Sequence, residues 1–327
     1  MRVARSWKQL PFHWLIPFVF FCIGLLYIYA APHFEASDNE FHVGVIKWIF
    51  DTGELPVQTD EHDYLYGHEA NQPPLYYLTM APIYSAFDTT DFSDYFLRNP
   101  LVLFGHPKRL GNRNFIFYRQ PYPPDLAGVS LALYVIRLLT LGMAVATVAA
   151  VYQSARTIMP GHVGFAVLAT SLVAFNPMFL FISTSITNDV MVTALSTLAA
   201  WQMLVMLRHG FDSRRSLFLA ILIAGAALAK LNGLVTLPVV GLAGLWTLFR
   251  TRDRRGFIIL GIAVSVVFLA AAGWWIARNL SLYGELFGTK SMLDYYGRRS
   301  IALSRMLTEE FQSLRISYWG LLSSSAS

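Results

Sequence analysis

Long apolar runs alternate with short polar segments over most of this chain. Most of these runs approach the roughly 20 residues that an α-helix needs to cross a bilayer. The pattern therefore predicts an all-α polytopic membrane protein with about seven transmembrane helices. The predicted spans are 14–31, 128–152, 163–183, 190–207, 217–231, 233–249 and 257–276. We expect the first run to be retained as a helix rather than removed as a signal peptide.

Arginines concentrate in the short segments between alternate spans. Loops on the cytoplasmic side of a membrane carry most of the lysine and arginine, so this placement predicts a cytoplasmic N-terminus in a multi-pass protein of the cell (inner) membrane. The net charge of +5 fits the same interpretation. The outer face then receives 32–127, 184–189 and 278–327. The arginines in question are Arg156, Arg208, Arg214, Arg215, Arg250, Arg252, Arg254 and Arg255.

This topology divides the chain into four parts. Residues 1–31 form a cytoplasmic N-terminus and first span, and 32–127 form a long outer loop. Residues 128–276 form a six-span bundle, and 277–327 form an outer C-terminal segment. A loop as long as the first is usually functional or structured.

Two apolar segments give the long outer loop its own helices. The segment 39–50 places Phe41, Val45, Trp48 and Ile49 on one helical face, with Asp38 or Asn39 as the expected cap. The tyrosine-rich segment 74–87 is the second. Both compositions are typical of helices lying in the membrane interface.

Composition limits the chemistry. Hydrophobic residues make up 55% of the chain and charged residues 14%, which excludes an ordinary soluble domain. The single cysteine, Cys22, excludes a disulfide within the chain and a thiolate metal site. Nothing in the charge pattern indicates binding to nucleic acid.

Asp38, Glu40 and His42 are the first candidates for chemistry, because they follow directly after a membrane-length run. Carboxylates beside a histidine can act as a general base or hold a divalent cation. The alternative is a helix cap with a solvated first turn. Spacing alone leaves both interpretations open.

Further polar positions lie near the predicted ends of spans. Asp189 lies at the start of a predicted span, where a negative charge interacts favourably with the helix dipole. A role as a helix cap is the alternative interpretation. Lys230 and Arg137 are cations in apolar runs, which are usually paired or functional, although a lysine can also reach the interface. Arg278 follows two tryptophans, as an interfacial anchor would. A phosphate would suit each of these cations.

Two proline motifs complete the pattern. Asn176-Pro177 lies inside the third predicted span and should kink it. Gln72-Pro73-Pro74 precedes the tyrosine-rich segment, with His68 and Glu69 just before it. The second motif is equally compatible with a rigid turn that leads into an interfacial helix.

In this order, the motifs resemble those of GT-C-type membrane glycosyltransferases, most closely the bacterial protein-mannosyltransferase-like and aminoarabinose-transferase-like enzymes. The resemblance covers nearly the whole chain, and its specific part is the order of the motifs together with the topology. The motifs are an acidic motif in the first outer loop, Pro74-Leu75-Tyr76-Tyr77, Arg137, Lys230 and the tryptophan-to-glycine segment 274–284.

The resemblance implies an inverting transferase that moves a sugar from a polyprenyl-phosphate donor to a lipid, glycan or protein acceptor on the outer face. It implies that Asp38 or Glu40 is the catalytic base and that a Mg²⁺ or Mn²⁺ ion is a possible addition at Asp38, Glu40 or Asp189. The residues it assigns to substrate and donor phosphate are His42, Arg137, Asp189, Lys230 and Arg278.

The chain also departs from the family pattern. Asn39 separates two acids that are usually adjacent, and Gln72 stands where the family has a histidine, a role that His68 would have to take. Members usually continue beyond Tyr318-Trp319-Gly320 into more spans, so a truncated, inactive member is one alternative. A transporter or lipid flippase is the other, since charged groups in a membrane also mark substrate pathways.

Overall fold

The computed structural model describes residues 11–36, 38–59, 64–101, 114–117, 125–296, 302–311, 315 and 318–319. These residues form helices, and the pairing of Arg98 with Ile116 is an isolated bridge. The helices are α1 (Phe12–Ala30), α2 (Asn39–Thr52), α3 (Leu75–Tyr84), α4 (Phe92–Tyr95), α5 (Gly128–Ile158), α6 (Val163–Ala174), α7 (Pro177–Ser183), α8 (Asn188–His209), α9 (Ser213–Ala229), α10 (Thr236–Thr251), α11 (Arg254–Tyr283), α12 (Thr289–Tyr296) and α13 (Leu303–Glu309), with 3₁₀ turns at Gly67–Asn71 and Leu231–Val235.

Helices long and apolar enough to cross a membrane number five among the described residues, or six if the bent pair α6–α7 is one span. The prediction of seven spans is therefore not confirmed. The span predicted at 217–231 corresponds to α9, which has 17 residues. At 1.5 Å per residue α9 is about 26 Å long, shorter than a hydrocarbon core of about 30 Å.

The predicted kink at Asn176-Pro177 is confirmed and is a complete break. The axes of α6 and α7 differ by 63°. Pro177 occupies the first turn of α7, where its missing N–H costs no hydrogen bond. The side chain of Asn176 caps α7 by accepting from the Phe179 N–H at 3.0 Å.

Two compact units divide the described residues. The first contains 1–23, 141–175 and 189–276, and the second contains 24–140, 176–188 and 277–327. The second unit contains nearly all described residues of 32–127, 184–189 and 278–327, the three segments that the arginine pattern predicts to lie on the outer face. All of the loop arginines behind that pattern belong to the first unit.

The core of the first unit is formed by side chains from α8 to α11. Methionine and alanine of α8 pack against leucine and isoleucine of α9, with one residue each from α10 and α11. The buried members are Ala199, Met203, Met206, Leu219, Leu222, Ile223, Val240 and Leu260. Close packing of this kind lets a bundle bury one face of each helix while other faces stay exposed, as contact with lipid requires.

In the second unit, α2 packs against α3 and against the turn Gly67–Asn71. The predicted apolar face of α2 is only partly right, because Val45 is buried whereas Phe41, Trp48 and Ile49 are half-buried. The buried side also carries polar residues, His42 among them. Gly44 is needed there because a Cβ would meet the backbone of Leu65 and Tyr66 at 2.5–2.7 Å.

The turn between α7 and α8 is buried rather than solvated. Every residue from Thr184 to Asn188 is less than 5% exposed. The Ile186 N–H donates to the Asn39 side chain at 2.8 Å, and the Asn188 side chain donates to Gln72 at 3.3 Å. Buried backbone groups need such partners, so the long loop holds this turn in place.

Arg137 of α5 joins the same region from another side. Its guanidinium donates to the carbonyl oxygens of Thr184 at 2.6 Å and Ala31 at 2.9 Å, and lies 3.5 Å from the His33 ring. These contacts give Arg137 a structural role between three segments. Burial, and next the Arg137 charge, hold the pKa of His33 well below its usual value.

Replacement of Gly44 by alanine should destabilise the second unit, because the added methyl group meets backbone rather than a movable side chain. We expect a loss of about 1–3 kcal/mol in the free energy of unfolding, measured by thermal denaturation in detergent. Gly142 is the matched control, since a Cβ there meets nothing within 4 Å. Equal stability of Gly44→Ala and Gly142→Ala would contradict the packing described here.

Acidification should destabilise the fold through His33. As the pH falls below about 6.5, the unfolded imidazole gains a proton that the buried one resists, so stability drops by up to about 1.4 kcal/mol per pH unit. His33→Gln should flatten this dependence between about pH 7.5 and about pH 5.5 in unfolding experiments. The exposed His209 provides the control variant His209→Gln. Identical pH profiles for the two variants would disprove the assignment.

Candidate functional site

Asp38 stands immediately before α2 with a left-handed backbone, at φ 59° and ψ 4°. A residue other than glycine seldom adopts this conformation, although aspartate tolerates it better than most. Asp38 occupies the N-cap position, as predicted, but its side chain makes no capping hydrogen bond. The Asn39 side chain does not cap α2 either, because its oxygen accepts from the Ile186 N–H. The Asp38 carboxylate remains 47% exposed.

The neighbouring acid has a different environment. Glu40 is 17% exposed, and its carboxylate accepts a charge-assisted hydrogen bond from the Arg98 guanidinium at 3.2 Å. The geometry therefore favours Asp38 over Glu40 as the accessible acid of the sequence motif.

A buried polar network lies directly behind Asp38. The Glu69 side chain is 5% exposed, and its Oε1 lies 2.9 Å from Nε2 of His68. The same His68 nitrogen lies 3.8 Å from Oδ1 of Asp38. The Tyr77 hydroxyl donates to the other carboxylate oxygen of Glu69, Oε2, at 3.2 Å. The same hydroxyl oxygen lies 2.8 Å from Nδ1 of His42.

Three segments meet in this network. Asp38 and His42 come from the start of α2, His68 and Glu69 from the 3₁₀ turn, and Tyr77 from α3. The packing of α2 on α3 brings them together. Sequence analysis named Asp38, His42 and His68 but gave Glu69 and Tyr77 no chemical role. The sequence signal that could have pointed to Glu69 is the adjacent ionisable pair His68-Glu69, shortly before the double proline Pro73-Pro74.

Lys230 and Asp189 form an ion pair inside the first unit. The ammonium donates to the aspartate at 2.8 Å, and the two side chains are 19% and 45% exposed. Lys230 has an extended backbone between α9 and the following 3₁₀ turn. Gly233 permits this sharp turn, because a Cβ there would collide with the backbone of Ala226. A lysine in an apolar segment is expected to be paired in this way.

Among the described contacts of the second unit, the Arg278 side chain binds backbone carbonyl groups and not an acidic side chain. Its guanidinium donates to the carbonyl oxygens of Leu55 at 3.1 Å and Pro56 at 2.9 Å. The hydroxyl of Tyr283 accepts from the Gln58 N–H at 2.9 Å. The end of α11 is thereby fastened to the long loop, and a role of Arg278 in holding phosphate stays a prediction.

The described ranges contain no group of three or more histidine, cysteine, aspartate or glutamate side chains arranged to hold a metal ion. Arg98 already engages Glu40, one of the acids that the resemblance assigns to a cation. A requirement for Mg²⁺ or Mn²⁺ stays a prediction, and the proposal below rests on side chains alone.

Comparison with known proteins gives no match: no family model, no curated protein and no solved structure resembles the chain closely enough to assign a family. The resemblance to GT-C-type enzymes is therefore supported by motif order alone. What the structure adds is the geometry around Asp38 and Lys230.

Proposed function

We propose that this protein is a membrane glycosyltransferase that moves a sugar from a polyprenyl-phosphate donor to an acceptor on the outer face of the membrane. The observation that carries the proposal is the Asp38 carboxylate, which is half-exposed, does not cap its helix and lies against a buried histidine–glutamate pair. A capping residue would satisfy the first turn of α2 instead.

The proposed reaction is a displacement at the anomeric carbon of the sugar. An acceptor oxygen or nitrogen forms the new bond to that carbon, and the bond to the lipid phosphate breaks with its electron pair. The acceptor proton passes to the Asp38 carboxylate as the attack proceeds. Attack from the face opposite the leaving group inverts the configuration at the anomeric carbon.

The leaving lipid phosphate needs a positive charge to stabilise it. Lys230 supplies three N–H donors, of which the contact with Asp189 uses one. Asp189 therefore orients the ammonium without exhausting its capacity to bind an anion. This role comes to Lys230 from the resemblance, which assigns it to the donor phosphate.

The direct test uses the purified protein in lipid with a panel of polyprenyl-phosphate sugars. Release of free polyprenyl phosphate, dependent on protein and acceptor, is the expected result. Absence of turnover with every donor would contradict the proposal. Movement of intact lipid-linked sugar across the bilayer without hydrolysis or transfer would instead indicate a flippase.

Substitution of the two acids should separate their roles. Asp38→Asn removes the base and should lower turnover by about 100-fold or more. Glu40→Gln should have a smaller effect, because Arg98 already occupies that carboxylate. Turnover rates of both variants, at equal protein recovery from the membrane, provide the measurement. Full activity of Asp38→Asn would disprove its assignment as the base.

Removal of the ammonium should act mainly on the donor. We expect Lys230→Ala to weaken binding of polyprenyl phosphate by about tenfold or more, since one charge-assisted contact is worth about 1.5–3 kcal/mol. Binding is measured directly with the sugar-free lipid phosphate. Lys290→Ala is the matched control, an exposed lysine that the proposal does not use. Unchanged affinity of Lys230→Ala would count against this role.

A further inference from the structure

Glu69 is buried, yet each of its two carboxylate oxygens lies against a different polar group. An ionised carboxylate can only accept hydrogen bonds, so every partner must direct a proton toward it. This requirement fixes the protonated nitrogen of each neighbouring histidine. It also explains why a charged group is tolerated in so dry a place.

The contacts on the two sides follow in turn. Nε2 of His68 lies 2.9 Å from Oε1, a contact that a hydrogen on this nitrogen makes favourable. On the other side, the Tyr77 hydroxyl donates to Oε2, so Nδ1 of His42 donates to the tyrosine oxygen at 2.8 Å. The two histidines thereby present different ring nitrogens to the network, Nε2 of His68 and Nδ1 of His42.

We propose that Glu69 is the positioning residue of this site, which fixes the tautomers and orientations of His42 and His68 and, through His68, the polar surroundings of Asp38. Nε2 of His68 lies 3.8 Å from Oδ1 of Asp38, beyond hydrogen-bond distance, and the left-handed backbone of Asp38 places that carboxylate beside the network. Glu69 itself touches no substrate.

The part of this inference that concerns catalysis rests on the proposed function, whereas the part that concerns tautomers does not. The first experiment is therefore ¹⁵N NMR of histidine-labelled protein in lipid nanodiscs at constant pH. Signals are assigned with His42→Gln and His68→Gln. In the unsubstituted protein we expect one tautomer at each position, with hydrogen on Nδ1 of His42 and on Nε2 of His68.

Two variants remove one part of the network each. Glu69→Gln keeps the side-chain volume but loses the charge, so both histidines should become mixtures of tautomers. Tyr77→Phe removes the hydroxyl alone, so only His42 should change. Glu35→Gln is the matched control, the same carboxylate-to-amide change in the same unit, at a side chain that accepts from the Phe115 N–H. It should leave both signals unchanged.

The second experiment measures steady-state turnover of the full chain. Glu69→Gln should lower kcat by about 10- to 100-fold, the range found when a partner that orients an imidazole is lost, with donor KM changed by less than about twofold. Glu69→Asp keeps the charge and should retain more activity than Glu69→Gln. Glu35→Gln should match the unsubstituted protein.

Each outcome has one meaning. A tautomer mixture in the unsubstituted protein, or unchanged tautomers in Glu69→Gln, would overturn the role of Glu69 whatever the activity. A rise in KM alone would show that Glu69 shapes donor binding and would also overturn it. Lack of turnover in the unsubstituted protein would refute the proposed function and leave the NMR result to decide on Glu69.

Discussion

The buried carboxylate of Glu69 is the constraint on which the second unit depends. A charge removed from water needs polar partners, and this one has His68 and Tyr77 against its two oxygens, with His42 behind the Tyr77 hydroxyl. These donors belong to α2, the 3₁₀ turn and α3, so the three elements must meet in one arrangement. Gly44 allows the close approach that brings α2 against the chain just before the turn.

The same principle governs the turn between α7 and α8. Five consecutive residues there are buried, and polar side chains from distant parts of the chain supply some of their hydrogen bonds. Asn39, Gln72 and Arg137 each contribute one contact. In a chain this apolar, polar side chains are scarce, and the second unit places several of them where backbone groups would otherwise lack partners.

The architecture also explains why the two motif acids differ. Asp38 and Glu40 are two residues apart at a helix start, so their side chains leave the backbone in different directions. One faces the His68–Glu69 pair and the other faces Arg98. Two acids that look interchangeable in sequence thus differ in the structure: Asp38 is exposed, and Glu40 is paired with Arg98. The proposed chemistry depends on that difference.

The sequence by itself determined the helical class, most of the membrane-length helices and the break at Asn176-Pro177. These features follow from local hydropathy and proline geometry, which act over short distances. Only the tertiary structure decided that Glu69 and Tyr77 join His42, that Arg98 pairs with Glu40, and that the apolar run at 217–231 forms a helix of only 17 residues. Contacts between residues far apart in the chain leave no periodic signal, because burial of a charge depends on which elements pack around it.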